Sequence, residues 1–372
     1  MKWELLNDDQ RALLMKVKNY TEEVISVNYQ KYEISGEFPY PLFQEICHLG
    51  VFELLKQENN NDDLTFFECI RIIASGFPAL ASIVLTQGSY IIYPLLQFGN
   101  HEQQNKFLKD LMTGHKIGGL ALSEQSAGSD VELIETVALE TQNSWILNGQ
   151  KQFISNGAIA NFYFVAANAQ MLDGSVESGL FIVERQSEGL SVVPAPEKTG
   201  LNSLPLCGLE LTKVKIPQTA LLGEKPGGNN EIEKIYNHLK LAISMQAIGI
   251  SQSAFQLGLQ ELQIFRSFGK RLIDDRATRH RMAELQSKIK AVQVLAQDII
   301  CKHSQDTSQV AMLKLFASEL AVETTQSIIQ LLGGQMMTEN SNFERFACDA
   351  DLTLLYGCSA ETQKEIIAEE FM

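Results

Sequence analysis

The chain has 372 residues, of which 45% are hydrophobic and 20% charged, so it is long enough for two or three domains and too apolar for a disordered protein. Its formal net charge of −15 argues against a nucleic-acid or anionic-membrane partner, because both need a positive field. The six cysteines are scattered without a C-x-x-C pair, so we expect reduced thiols, no disulfide framework and no metal site. The N-terminus shows no secretory signal, and we expect a cytoplasmic protein.

Residues 1–115 predict an α-helical N-terminal domain. In the segment 8–24, apolar residues recur at spacings of three and four, the pattern of an amphipathic helix. Between Ile72 and Asn100 the chain carries no charged side chain, which is compatible with a membrane span or with buried helices. Glycine and proline residues interrupt this segment, and we therefore expect buried core helices and no membrane partner.

Residues 116–228 predict a central β domain, and residues 229–372 predict a C-terminal helical domain. Short apolar runs bounded by turn residues are typical of strands, and we expect a mainly antiparallel, barrel-like sheet. After residue 228 the pattern returns to long helices, expected at about 231–300, 308–333 and 343–369. The predicted fold class is mainly α with a central β domain.

Two polar loops stand out in the β domain: LALSEQSAGSDVE at residues 120–132 and WILNGQKQFISNG at residues 145–157. Both are rich in small residues, hydroxyls and backbone N–H groups, which suits a polar cofactor at a sheet edge. Together they resemble the flavin-binding loops of the acyl-CoA dehydrogenase superfamily, and the resemblance continues through RSFGKRL, IIQLLGG and LLYGCSAETQ. It implies a helical N-terminal domain, a β domain and a C-terminal four-helix bundle, with FAD between domains and across a subunit interface.

The resemblance also implies a set of FAD contacts. Ser123 and Ser155 correspond to hydroxyls that bind the edge of the isoalloxazine ring, and Phe153 corresponds to an aromatic side chain against that ring. The remaining implied cofactor positions, some donated to a neighbouring subunit, are Ser129 (near the thioester), Arg266, Phe268, Gln330, Gly334, Ser359 and Glu361. The basic run 266–281 is a solvated helix face or a cationic site for the FAD pyrophosphate. A homodimer or homotetramer is therefore expected.

The catalytic glutamate of the family is missing from both of its usual places. That carboxylate removes a proton from the α carbon of the acyl group while hydride leaves the β carbon for the flavin. The two places correspond to Gly357 and Leu239, and neither side chain can accept a proton. His238, Glu361 and Asp351 are alternative bases, and we assign the role to none of them.

Three functions stay open at this point. In one, the protein oxidises a small hydroxyl- or amino-bearing acyl group on an acyl carrier protein, as relatives in polyketide and nonribosomal peptide pathways do. In the others, it dehydrogenates an ordinary acyl-CoA with a relocated base, or it is a non-catalytic FAD-binding scaffold. We favour the first, because an oxygen-bound proton needs only a weak base and because we expect Gly357 to leave space for a polar group. The sequence does not identify the electron acceptor.

Overall fold

The computed structural model describes residues 3–126, 128, 133–302, 306–334 and 342–372. Its N-terminal part is helical. Two helices begin with a capping box, in which Asn7 and Asn100 each exchange hydrogen bonds with the glutamine three residues further on. The helices are α1 (Asp8–Tyr20), α2 (Ser26–Ser35), α3 (Tyr40–His48), α4 (Asp62–Gly76), α5 (Pro78–Leu85), α6 (Tyr93–Phe98) and α7 (His101–Met112), with π-helical turns at Thr21–Ile25 and Thr86–Ile92.

One helical run in the described residues, Pro78–Phe98, is long and apolar enough to cross a membrane. It consists of α5, the second π-helical turn and α6. Its most apolar stretch is 89% buried inside the protein. The run therefore packs as core, in agreement with the prediction of buried helices for this segment.

The central part is one seven-stranded sheet, with β1 (Gly118–Ala121), β2 (Val137–Glu140), β3 (Ser144–Ser155), β4 (Phe162–Gln170), β5 (Val176–Glu184), β6 (Leu190–Pro194) and β7 (Leu206–Pro217). The strand order is β1-β4-β2-β3-β7-β6, and β5 pairs with the other edge of β4. The expected antiparallel pairing is right for most of the sheet, but β1 and β2 both run parallel to β4. Strand composition does not encode this choice, because it depends on which distant strands meet.

The C-terminal part contains α8 (Gly228–Ile264), α9 (Arg276–Cys301), α10 (Thr307–Leu332), α11 (Asn342–Leu355) and α12 (Ala360–Ala368). The prediction of helix throughout 231–300 is wrong between α8 and α9, where β8 (Arg266–Ser267) and β9 (Lys270–Arg271) form a hairpin. Phe268 and Gly269 turn the chain there with φ of 49° and 82°. A tight hairpin needs such left-handed backbone, which a continuous helix cannot accommodate.

Strand β4 joins two hydrophobic cores, which explains why nearly all of it is apolar. Phe162 and Phe164 contribute to the core shared with the helices, whereas Tyr163 and Val165 contribute to a second core inside the sheet domain. Alternate residues of a strand face opposite sides, so one apolar run serves both. The sheet is thereby fixed against the helical parts.

Candidate active site

A cavity of about 460 Å³ lies where the three parts of the chain meet; we refer to it as the junction cavity. Tyr90 contributes from the N-terminal part and Tyr236 from α8. The loops around β1, β3 and β7 and the end of α11 complete its wall, which is lined by Leu120, Leu122, Ser123, Glu124, Gly128, Gln152, Phe153, Ser155, Pro196, Glu197, Lys198, Leu201, Leu204, Leu206, Leu352, Leu355, Tyr356, Gly357 and Cys358. A large cavity between domains, apolar with a few convergent polar groups, is a typical ligand site.

The cavity brings together three of the predicted flavin contacts: Ser123, Phe153 and Ser155. Phe153 sits at a shift in the β3–β7 pairing, with φ of 54° and 61% of its surface exposed. A bulky residue in this conformation is costly, and such strain is often kept at functional sites. The hydroxyls of Ser123 and Ser155 have no hydrogen-bond partner among the described residues. Ser129 lies outside the described residues.

A buried ion pair that the sequence analysis missed fixes the loop after β1. Lys151 on β3 is 1% exposed, and its Nζ lies 2.6 Å from Oε1 of Glu124 and 3.0 Å from the carbonyl oxygen of Leu122. Glu124 also accepts hydrogen bonds from the backbone N–H and the hydroxyl of Thr136. Burial lowers the pKa of Lys151 to about 8, and Glu124 counteracts this effect. The pair thus holds Ser123 in place at the cavity wall.

The two usual places of the family's glutamate are neighbours in the structure, and neither offers free space. Leu239 is completely buried. Gly357 has φ of 64°, and a Cβ added to it would lie 2.3 Å from Cδ1 of Ile243 and 3.0 Å from Cδ2 of Leu239. The expectation that Gly357 leaves room for a polar substrate group is therefore wrong at this point, because Ile243 and Leu239 fill the volume.

Tyr356, the residue before Gly357, is anchored by hydrogen bonds to α8 and α5. Its hydroxyl donates to Oε1 of Gln246. Gln246 in turn donates from Nε2 to the hydroxyl of Ser82 at 2.7 Å and to the carbonyl oxygen of Pro78 at 2.9 Å. Because every polar atom in this chain of contacts is used, the end of α11 is held rigidly against the cavity.

The three alternative bases named from the sequence lie outside the lining of the junction cavity. His238 faces a different cavity, since it is two residues and therefore about 200° around α8 from Tyr236. Its ring stacks on Tyr93 with 4.0 Å between centroids, and burial lowers its pKa to about 3. Asp351 is exposed on α11, and Glu361 is exposed on α12 with Lys364 at 2.8 Å.

Four of the other predicted cofactor positions lie on the surface, and Ser359 is half-buried. Arg266 and Phe268 are exposed in the β8–β9 hairpin, and Gln330 and Gly334 are exposed at the end of α10. The β8–β9 hairpin and the end of α10 lie at the same end of the helical bundle, because Gly258 of α8 packs against Ile328 of α10. This end is about 33 Å along α8 from the junction cavity, because Tyr236 and Gly258 are separated by 22 residues at 1.5 Å per residue. Ser359 caps the N-terminus of α12, where its hydroxyl accepts from the N–H of Thr362. Contact of the exposed positions with FAD requires a second subunit and stays a prediction.

Comparison with known proteins covers nearly the entire chain. Residues 7–115, 119–214 and 227–372 match the models for the N-terminal, middle and C-terminal domains of acyl-CoA dehydrogenase. The chain is 31% identical to cyclohexane-1-carbonyl-CoA dehydrogenase of Syntrophus aciditrophicus, over 98% of this chain and 96% of that protein.

Two solved structures share the fold. Butyryl-CoA dehydrogenase from Megasphaera elsdenii superposes with a TM-score of 0.92 at 25% identity, over 100% of both chains. The prolyl acyl carrier protein oxidase AnaB superposes with a TM-score of 0.91 at 22% identity, over 98% of this chain and 99% of the other, which shows the fold alone. The domain matches and the relatives together show that this chain belongs to the acyl-CoA dehydrogenase family of FAD-dependent acyl-thioester oxidoreductases.

Proposed function

We propose that the protein oxidises a compact, hydroxyl-bearing acyl group, presented as a thioester on an acyl carrier protein. The few polar groups that converge on the otherwise apolar junction cavity support a polar acyl group, and the loss of the family's glutamate argues against abstraction of a carbon-bound proton. The more specific part of the proposal is that the acyl group is attached to a carrier protein and not to CoA. It rests on the resemblance to relatives that act on small polar acyl groups, and the experiment below tests it separately from the acyl group.

The residues of the junction cavity fit FAD, the cofactor of this family. Ser123 and Ser155 place unpaired hydroxyls on the wall, and Phe153 offers an exposed ring in the same wall. Hydroxyl donors beside an aromatic face suit the edge and the plane of a flavin. When bound, FAD would supply the acceptor for hydride from the substrate. We infer that these three residues hold the flavin ring, and that Arg266, Phe268, Gln330 and Gly334 act on the FAD of a partner subunit.

The observation that carries the proposal is a pair of phenol groups in the cavity. Tyr90 and Tyr236 line it, and neither hydroxyl has a hydrogen-bond partner among the described residues. Burial raises the pKa of both groups, so both stay protonated and can donate. Leaving a buried donor unpaired costs about 1–3 kcal/mol. A saturated acyl chain leaves both unpaired, whereas a hydroxyl or carbonyl oxygen on the acyl group pairs with them.

Among the described residues, two carboxylates line the cavity, and neither is placed as a substitute for the glutamate. Glu124 is occupied by Lys151 and Thr136, and Glu197 is exposed on the loop after β6. Oxidation of a carbinol releases a proton from oxygen, which is far more acidic than one on an α carbon. The described lining thus offers no free buried carboxylate, and hydride loss from a carbinol fits such a site better than α,β-dehydrogenation does.

Anaerobic bleaching of the flavin tests the proposal. Hydroxypropionyl thioesters should reduce the flavin at least about 10²-fold faster than propionyl- or butyryl-CoA, because a missing general base costs about 10²–10⁴-fold. Equal or faster bleaching by butyryl-CoA would instead establish ordinary dehydrogenation, and no bleaching by any thioester would indicate a scaffold.

Two further comparisons refine the test. Tyr236→Phe should lower the preference for the hydroxylated substrate about fivefold, the value of one hydrogen bond of about 1 kcal/mol. Tyr40→Phe, an exposed site on α3, is the matched control and should change nothing. The same hydroxyacyl group on a phosphopantetheinylated carrier protein should react faster than on CoA, and a preference for CoA would overturn the carrier-protein part.

A further inference from the structure

Cys358 occupies an unusual position in the wall of the junction cavity. It directly follows Gly357 in the turn between α11 and α12, and it is 7% exposed. Its φ of 74° follows the 64° of Gly357, so two consecutive residues have left-handed backbone. For a cysteine this conformation costs about 1–3 kcal/mol, and strain of this kind persists where the surroundings impose it. The turn therefore presents the side chain of Cys358 at a defined place.

Two buried lysines lie behind this turn. Lys314 on α10 is completely buried, and its Nζ donates to the carbonyl oxygens of Cys358 at 2.8 Å and Leu354 at 3.1 Å. Lys240 on α8 is 2% exposed, and its single hydrogen bond, to Oδ1 of Asn237, is long at 3.5 Å. Burial lowers the pKa of both lysines, and the Cys358 thiol counteracts this effect. Buried ammonium groups need a negative partner, since an uncompensated buried charge is costly.

Positive charge lies close to Cys358, since Nζ of Lys314 is 2.8 Å from its carbonyl oxygen. Among the described groups that interact electrostatically with Lys314, the Cys358 thiol is the one that can carry a negative charge. Lys240 interacts with both the Cys358 thiol and the Glu233 carboxylate. Tyr90 and Tyr236 line the same cavity as Cys358 and interact electrostatically with its thiol. A thiolate beside two lysines is stabilised, as in other reactive cysteines. Burial, and to a smaller extent the Cys358 thiol, raises the pKa values of both phenols.

The other five cysteines have a different environment. Burial raises the pKa of Cys47 to about 12 and the pKa values of Cys207 and Cys348 to about 11, and it raises those of Cys69 and Cys301 as well. None of these five lines the junction cavity. A selective reaction at Cys358 is therefore distinguishable from background at the other thiols.

We propose that Cys358 is a catalytic thiolate that takes the oxygen-bound proton of the substrate carbinol. The O–H bond breaks and its proton moves to Sγ, which becomes a thiol. The electron pair left on oxygen forms the C=O bond as the carbon loses hydride to FAD, so one proton and one hydride leave the substrate. Tyr90 and Tyr236 donate to the oxygen, and Lys240 and Lys314 are positioning residues for the thiolate. This role rests on the proposed oxidation of a hydroxyacyl group.

The thiolate is testable without substrate. In the FAD-loaded protein, iodoacetamide should alkylate Cys358 first, as seen by peptide mass mapping, with a pH midpoint below the value of about 8.5 for a free cysteine. Lys240→Met keeps the length of the side chain without its charge and should raise that midpoint, whereas Cys301→Ser, the matched control, should not. A wild-type midpoint at or above the free value, or one that Lys240→Met leaves unchanged, overturns the proposal.

Flavin reduction then tests the catalytic role. With a hydroxypropionyl thioester, Cys358→Ala and Cys358→Ser should slow flavin bleaching by about 10²–10⁴-fold while FAD stays bound, because a general base contributes about that much. If the wild type reacts and Cys358→Ala reacts equally fast, the role of Cys358 alone is overturned. If the wild type leaves every hydroxyacyl thioester unreacted, the proposed function is overturned and this role with it.

Discussion

Placing a glutamate at position 357, where the family's carboxylate is missing, should destabilise the protein. A residue with a Cβ pays about 1–2 kcal/mol for the left-handed backbone of Gly357. Its Cβ would also lie 2.3 Å from Cδ1 of Ile243, and overpacking of this kind costs about 1–3 kcal/mol. We therefore expect Gly357→Glu to lower the free energy of unfolding by about 2–5 kcal/mol.

A second substitution isolates the steric part of this cost. Ile243→Val removes Cδ1, the atom nearest to the added Cβ, and alone should cost about 0.5–1.5 kcal/mol. In the Gly357→Glu background it should instead recover about 1–3 kcal/mol, because it relieves the overpacking. Contacting residues give such non-additive energies, whereas independent ones give sums. The contact with Leu239, at 3.0 Å, then needs a shift of a few tenths of an ångström.

Thermal unfolding of the four FAD-loaded proteins measures this coupling, and anaerobic bleaching by butyryl-CoA measures the chemistry. The double variant should unfold at a higher midpoint temperature than Gly357→Glu. Butyryl-CoA should also bleach its flavin slowly, whereas we expect no such bleaching in the wild type. Purely additive shifts in the unfolding midpoint would show that Ile243 does not fill the place of the glutamate. A stable Gly357→Glu single variant would refute the packing argument altogether.

Three further predictions concern the cofactor, acid stability and assembly. Ser155→Val should weaken FAD binding about fivefold in fluorescence titration, because a hydroxyl hydrogen bond contributes about 1 kcal/mol; unchanged affinity would remove Ser155 from the flavin site. Burial lowers the pKa of His238 from 6.5 to about 3, so the unfolded chain takes up this proton first and stability falls as the pH drops below 6.5. The free energy of unfolding falls by about 2 kcal/mol between about pH 7 and about pH 5, and His238→Phe should abolish this loss in thermal unfolding. An equal pH dependence in His238→Phe and the wild type would contradict the assignment of the loss to His238. Phe268→Asp should weaken self-association in light scattering, since this apolar side chain is completely exposed on the single chain; an equally large oligomer would place the interface elsewhere.

The order of helical, β and helical parts was predictable because hydrophobic spacing changes at both boundaries. The hairpin between α8 and α9 was not, since the basic segment after Phe265 contains ordinary helix formers and the left-handed turn depends on Phe268 as well as Gly269. The strained conformation of Phe153 was also hidden, because a pairing shift is decided by the partner strand. Local sequence therefore identified the loops but not their geometry.

The buried lysines are the main feature of the site that sequence analysis missed. A lysine usually predicts a solvent-exposed position, whereas Lys151, Lys240 and Lys314 are at most 2% exposed. A signal was present in two of the three cases. Lys240 stands in YNHLKLAISM and Lys314 in VAMLKLFASEL, where apolar residues precede and follow at helical spacing. A lysine inside such an apolar stripe is buried together with it. Its ammonium group then needs a polar or negatively charged partner, and the position of that partner indicates a functional site.

Two of these lysines, Lys240 and Lys314, give the cavity wall at Cys358 an electrostatic character opposite to that of the chain as a whole, whereas Lys151 is neutralised by its ion pair with Glu124. The formal net charge is −15, yet Lys240 and Lys314 lie behind Cys358. Charges in a low-dielectric interior act strongly over short distances, whereas the many surface carboxylates are screened by solvent. Negative charge is therefore stabilised at the cavity wall even though the protein repels anions at long range. A reaction in which a thiolate takes a proton and negative charge builds up on an oxygen fits this field. Abstraction by a buried carboxylate would require a group for which the packing of Leu239 and Ile243 leaves no place.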